Sequence, residues 1–272
     1  MQVVASGLGS QICSPVFDLK DTLHIVSTGT GEIFRIFDKK SQSFAVGGAP
    51  SCVRFNNEGE MYLGDFNHHA ILLQQEEEIT PLIRDYEGRS FKGPHSCCFD
   101  RLGSLYFTDS GPVGETGLRD PRGSVFCVSP DGQLLQPLML DTLACPTGIA
   151  LSPDDSTLYV CELMQNRILR AVQRPTGVFH FSVFHQFSGG MGPMAVAVQP
   201  TTGNLYVANY DFAGTHSSAV GYVTVLTPQG EQLERIQMGA PEVTGLAFSR
   251  EQPNMLYITE ASTNTVYRWE CH

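Results

Sequence analysis

Three soft donors, Cys13, His95 and Met194, occupy equivalent places in a hairpin that the chain repeats, and Cys145 lies one residue before Pro146 near the same position. Thiolate, imidazole and thioether suit zinc or copper. Soft-metal sites, however, are marked by tight, repeated Cys/His spacing, which is absent here. The preferred reading is a mildly apolar plug. Cys13 with His95 could also form a nucleophile–base pair, but the sequence supplies no orienting group or oxyanion hole for it. Three acidic residues are each followed by an asparagine in the next turn: Asp65-x-Asn67, Glu162-x-x-x-Asn166 and Glu260-x-x-x-Asn264. Carboxylates and carboxamides at such places bond turn backbone, and that role is preferred to catalysis. Cys97-Cys98 reads as buried free thiols, and His68-His69 as polar turn residues. Gly189-Gly190-Met191-Gly192, with no helix after it, reads as a flexible connection rather than a phosphate loop.

The element that must position these residues is clearest at Cys145 to Glu162, CPTGIALSPDDSTLYVCE. A proline opens it, Gly148 to Leu151 form an apolar strand, Ser-Pro-Asp-Asp turns the chain, and Leu158 to Val160 return. Six copies follow one another. Their first strands carry Cys13, Ser51, His95, Thr147, Met194 and Thr244 at matching positions, and their return strands begin near Leu23, Met61, Leu105, Leu158, Leu205 and Leu256. A spacing of about 40 to 50 residues is the period of a four-stranded propeller blade. Third strands such as Gly123-Ser-Val-Phe-Cys-Val and Gly221-Tyr-Val-Thr-Val-Leu complete the pattern. The expected fold is all-β, one six-bladed propeller over residues 1–272 with neither linker nor second domain. The sixth copy ends after three strands, so the Gln2 to Ala5 segment supplies its fourth and removes an exposed edge. A single Trp and no G-H…W-D signature argue against WD40; NHL-type propellers are closer. Two longer loops, Gly111 to Arg122 and Tyr210 to Val220, fall on the face where the inner strands begin. They carry Glu115, Arg119, Asp120, Arg122, Asp211 and His216, and ordinary surface loops are the preferred reading.

A net charge of −11, from 17 Lys plus Arg against 28 Asp plus Glu, argues against a nucleic-acid or anionic-membrane surface. No apolar run approaches the roughly 20 residues of a membrane helix. Eight cysteines without a paired framework or a secretion signal read as reduced thiols in a cytoplasmic protein.

The third to fifth copies resemble the SMP-30/gluconolactonase/luciferin-regenerating-enzyme family. The carrying residues are Gly93-Pro-His-Ser with Phe99-Asp-Arg-Leu-Gly-Ser-Leu-Tyr-Phe-Thr-Asp-Ser, then Gly123-Ser-Val-Phe-Cys-Val-Ser-Pro-Asp-Gly, Cys145-Pro-Thr-Gly-Ile-Ala-Leu-Ser-Pro-Asp-Asp, and Gly203-Asn-Leu-Tyr-Val-Ala. The resemblance implies a six-bladed propeller that holds one divalent metal, usually calcium, at the top of its channel and hydrolyses lactones or related esters. The family's Glu, Asn, Asn and Asp ligands fall, position by position, on Cys13, His95, Thr147 and Met194, with Ser51 and Thr244 at the two remaining places. Calcium takes six to eight oxygen ligands, several of them charged, so no cofactor is expected. The expectation that follows is a diverged propeller acting as a binding or scaffold module, with a small-molecule or protein partner at its top face. The alternative is a hydrolase of lactone or ester substrates using a modified central site, with another divalent metal as one option.

Overall fold

The computed structural model describes residues 1–37, 40–76, 78–175, 177–211 and 220–271. Its described residues form six four-stranded antiparallel sheets arranged as the blades of a propeller, plus a short ribbon of Asp85–Tyr86 against Arg89–Ser90. The innermost strands, one per blade, are Ile12–Phe17, Pro50–Phe55, Pro94–Phe99, Pro146–Leu151, Met191–Val198 and Val243–Phe248. Gln2–Ser6 pairs antiparallel with Thr265–Glu270 and so becomes the outer strand of the last blade. Leu163–Gln165 forms a 3₁₀ turn, closed by Asn166 in the left-handed region.

The pattern of side chains explains the layering. The second strand of each blade is sandwiched between neighbours on both faces, so Leu23–Ser27 and Leu105–Asp109 are buried at every position, as expected for strands without a solvent face. Outer strands alternate instead; Glu78–Ile83 exposes every second residue. Each hydrophobic cluster bridges two blades. Val26 and Ile33 of the first meet Leu63 and Leu72 of the second, while Val266 of the last meets Ile12 and Ile25 of the first. Among the described residues the apolar core is therefore divided between neighbouring blades around a channel rather than gathered at one centre.

In the hairpin at Pro146, the Ser152 hydroxyl accepts the Thr157 N–H at 3.0 Å and donates to Asp154 Oδ1 at 2.6 Å, and Asp155 takes φ 58°. Small polar residues close the turn because they tolerate that conformation and bond it locally. At Gly148 a Cβ would sit 2.7 Å from the Ala195 Cα, so glycine alone lets these inner strands pack. Gly192 is already paired with Tyr210 inside the fifth inner strand, so the segment expected to be a flexible connection is partly sheet.

Removing residues 1–6 should lower the thermal midpoint and bare the edge of Thr265–Glu270. Calorimetry and light scattering should then show a less stable protein that self-associates with concentration; a monomer of unchanged midpoint would contradict this role.

Candidate active site at the channel mouth

Each inner strand has a register shift after its first one to three paired residues, as between Pro50 and Cys52, Pro94 and Ser96, Cys13 and Val16, or Pro193 and Ala195. A bulge of this kind takes a carbonyl out of its own ladder. The neighbouring blade satisfies it. Ser51 Oγ donates to the Pro94 carbonyl at 2.6 Å, Thr147 Oγ1 to Pro193 at 3.1 Å, and Thr244 Oγ1 to Ile12 at 2.6 Å. Thr28 and Thr108, at the ends of return strands, do the same for Pro50 and Thr147 at 2.7 Å each. Ring residues thus alternate in type, although the Cys13 thiol also donates to the next blade, at the Ser51 carbonyl. In the second, fourth and sixth blades they are hydroxyls committed to the next blade's backbone; in the first, third and fifth they are Cys13, His95 and Met194.

The structure brings five of the six expected ring residues to one small cavity: Cys13, Ser51, His95, Met194 and Thr244 line it, with a volume of about 30 Å³. Thr147 is fully buried with its hydroxyl spent on Pro193, and Gly148 lines the cavity in its blade. A space of this size holds about one water. Met194 also packs with Cys145 and Leu163 in an apolar cluster under Met164 and Tyr210, which accounts for the plug on that side. Cys145 is thus a packing residue, with burial pushing its thiol up to about 11.

Arg54 was not anticipated, yet it lines the same cavity. Its Nη1 donates to Ser14 Oγ at 2.9 Å and to the Val53 carbonyl at 2.7 Å. Its charge favours thiolate at Cys13, Cys52, Cys97 and Cys98, so it is felt across the channel wall. Burial dominates even so, and pushes Cys13 up to about 12. The protonated Cys13 thiol donates to the Ser51 carbonyl at 3.2 Å, which makes it a poor nucleophile. Burial acts oppositely on His95, pushing its imidazole down to about 4, so the ring is neutral near pH 7. It meets Phe66 edge-on at 5.6 Å. Cys52 and Cys97 lie Sγ to Sγ at 3.6 Å, both buried; of the adjacent pair expected to be buried thiols, Cys97 is buried and Cys98 half-buried.

The acidic residues sit at the outer rim of this mouth and serve backbone. Glu162 Oε1 accepts the Ala144 N–H at 2.8 Å, with Arg167 Nε on its other oxygen at 2.6 Å. Glu260 accepts the Glu242, Ser262 and Thr263 N–H groups. Asp109 holds Lys92 and Gly93, and burial raises its carboxyl. Asp65 accepts the N–H of His68 at 2.8 Å and contacts its ring. The left-handed residue that follows each acid by four places is His69, Asn166 or Asn264; the partner of Asp65 is therefore His69, not Asn67. The loop from Gly111 to Arg122 is pinned by the Thr116 hydroxyl on the Ser110 carbonyl, and its Arg122 and Asp120 pair with one another at 2.7 Å. Asp211 bonds the Pro241 carbonyl through its N–H, whereas His216 lies outside the described residues.

This donor set does not fit calcium. Three hydroxyls are turned to backbone, one thiol is protonated, one ligand is a thioether, and a guanidinium stands in the channel. A hard cation there would meet repulsion without a compensating carboxylate. Calcium added to millimolar concentration should leave the thermal midpoint unchanged. Thr147→Val, which keeps the volume and orphans the Pro193 carbonyl, should cost about 1–3 kcal/mol in urea unfolding; a neutral substitution would remove the clasp role.

Comparison with known proteins places this geometry in context. The family model for the SMP-30/Gluconolactonase/LRE-like region matches residues 14–262. The chain is 29% identical over 248 residues to Lactonase drp35 of Staphylococcus haemolyticus (strain JCSC1435), covering 85% of this chain and 70% of that protein. It is 28% identical over 216 residues to Lactonase drp35 of Staphylococcus aureus (strain MW2), covering 74% of this chain and 64% of that one, so it spans about two thirds of these relatives. Among solved structures, a gluconolactonase from Xanthomonas campestris superposes with a TM-score of 0.83 at 20% identity, over 98% of this chain and 88% of that one, a likeness of fold. Relatives named lactonase over most of the chain overturn the expectation of a catalytically silent binding or scaffold module. Ring substitutions alone were too narrow a basis for it, because they bear on the metal, give His95 no role of its own and leave Arg54 out of account. The chain belongs to the SMP-30/Gluconolactonase/LRE-like family.

Proposed function

We propose that the protein is a hydrolase of lactones or related esters that works from a modified central site, with small-molecule substrate entering at the top face. The observation that carries this reading is the pairing of a neutral imidazole, His95, with a fixed cation, Arg54, on one water-sized cavity at the channel axis. Lactonase-named relatives supply the reaction class.

The cavity is too small for an organic ring, so the lactone rests above it and the water sits within it. His95 accepts a proton from that water as its oxygen adds to the lactone carbonyl. The oxyanion that forms is stabilised by the Arg54 charge, which acts through a channel of low dielectric. Collapse breaks the ring C–O bond, and the imidazolium returns its proton to the alkoxide. The product is one open-chain hydroxy acid, whose carboxylic acid then releases its proton to solvent and leaves as the carboxylate. Water attacks directly, since the Cys13 thiol holds its proton throughout the neutral range.

Hydrolysis of a panel of γ- and δ-lactones, followed by proton release, tests this. His95→Gln should lower kcat about a hundredfold or more, and Arg54→Met by a similar factor. A chelator should change nothing. His95 is pushed down to about 4, so the base stays unprotonated above that pH and the acid limb of kcat/KM should lie near 4, well below the 6.5 or so of a free imidazole. An acid limb near 6.5, or full activity in both variants, would exclude His95 as the base.

A further inference from the structure

The six blades provide an internal control for one another. At the second residue of the return strand, five carry tyrosine: Tyr62, Tyr106, Tyr159, Tyr206 and Tyr257. Blade one carries His24 instead. Three of these tyrosines pack on a phenylalanine of the following inner strand, Tyr62 on Phe99 at 5.0 Å, Tyr206 on Phe248 at 5.2 Å and Tyr257 on Phe17 at 4.9 Å, while Tyr106 and Tyr159 meet Phe179 and Phe184 of an outer strand. His24 keeps that contact, with Phe55 at 4.9 Å, but its ring is shorter. Beside it, on the face opposite the channel mouth, a cleft of about 1360 Å³ opens between blades one and two.

The cleft carries unsatisfied chemistry. His24 is 2% exposed, and its Nε2 contacts Asp18 Oδ2 at 3.2 Å. Asp18 is held in its carboxylate form by bonds from the Thr22 and Lys20 N–H groups and from His24, which outweigh its burial, so Nε2 must donate. That leaves Nδ1 a bare acceptor, and it is buried without a partner. Burial also keeps the imidazole neutral, so no second proton arrives there. Gln74 Nε2 donates to the Glu76 carbonyl, which fixes the amide and leaves Oε1 a second orphaned acceptor. Arg35, cross-strand partner of His24, stacks on Phe44 at 5.0 Å and leaves its Nε an orphaned donor. All three side chains line the cleft. Each orphaned buried group costs about 1–3 kcal/mol, a penalty that a matching ligand would relieve.

We propose that this cleft is a second ligand site, distinct from the channel, that binds a neutral polyhydroxy compound such as a sugar or polyol. A hydroxyl both donates and accepts, so neighbouring hydroxyls satisfy His24 Nδ1, Gln74 Oε1 and Arg35 Nε together, while Phe55 offers a ring for the C–H face. Charge excludes the alternatives. Five carboxylates line the cleft against Lys20 and Arg35, which repels anions. An amine would leave Arg35 Nε unpaired and place its charge beside the guanidinium. Arg35 and Gln74 are each half-buried, so both side chains keep part of their surface in contact with solvent.

Titration calorimetry with neutral hexoses, pentoses and hexitols, alongside putrescine and gluconate, tests the assignment. At least one neutral compound should saturate with a Kd of about 1 mM or tighter. His24→Tyr, which installs the residue of the other five blades, and Gln74→Leu should each weaken it about tenfold or more. Lactone hydrolysis at the channel should stay unchanged in both variants, which separates this site from the proposed active site. The proposal is overturned if no neutral compound saturates (the cleft then holds water only), if putrescine or gluconate binds better, or if affinity survives both substitutions.

Discussion

Ring closure is the constraint on which the rest of the molecule depends. A blade is a wedge whose apolar faces are covered only by its neighbours, so each inter-blade core exists only when all the blades are present. Closure leaves one backbone problem. The bulge near the start of each inner strand frees a carbonyl there, and a buried unpaired carbonyl is costly. Hydroxyls donated across five blade boundaries answer that problem, at about 0.5–1.5 kcal/mol each. The same positions face the channel, so a residue there serves either the clasp or the site. Ser51, Thr147 and Thr244 serve the clasp.

The architecture was legible because closure is periodic. Leucine or methionine followed by an aromatic residue, a small-residue turn, and a Pro-x start recur often enough to define strand order and the role of the first five residues or so. The grouping was legible for the same reason, since equivalence between copies sets Cys13, Ser51, His95, Met194 and Thr244 at matching positions, and these five line one cavity. What sequence could not reveal was side-chain direction within that ring. Thr147 and His95 are equivalent by alignment, yet one turns to a neighbour's carbonyl and the other to the channel. Arg54 was missed because it lies three places further along its strand, where the other copies carry Val16, Cys98, Ala150, Ala197 and Ala247. A lone charge in a column of small or apolar residues was the available signal.

Arg54 also changes how the ring substitutions should be understood. Loss of carboxylates and carboxamides from a metal site would by itself leave a neutral hole. Here a cation of fixed position has taken a place beside that hole, held by Ser14 Oγ and the Val53 carbonyl. Positive charge at the axis is thus preserved while its chemistry changes from a Lewis acid to a guanidinium. A guanidinium cannot be deprotonated near neutrality and cannot acidify a bound water as a metal does. In the proposed mechanism activation of water comes from a base, His95, the neutral imidazole within the same enclosure. The two departures are coupled: the cation without a base would only bind an oxyanion, and the base without a cation would leave the oxyanion uncompensated.

His24 and Arg54 illustrate one principle at opposite ends of the channel. In a repeat protein, packing is solved once and copied, so a position that breaks the column without filling its space is informative. Tyr106 places its hydroxyl on Asp100 at 3.3 Å, and His24 meets Asp18 through a ring nitrogen in the same fashion, so the local bond is conserved within the chain while the shape is not. Had the change been a drift of sequence alone, the second ring nitrogen would have found a partner or solvent. Its burial without either is hard to account for by packing, since a tyrosine at that place would incur no such cost. The orphaned nitrogen, more than the size of the cleft, distinguishes a site from a gap.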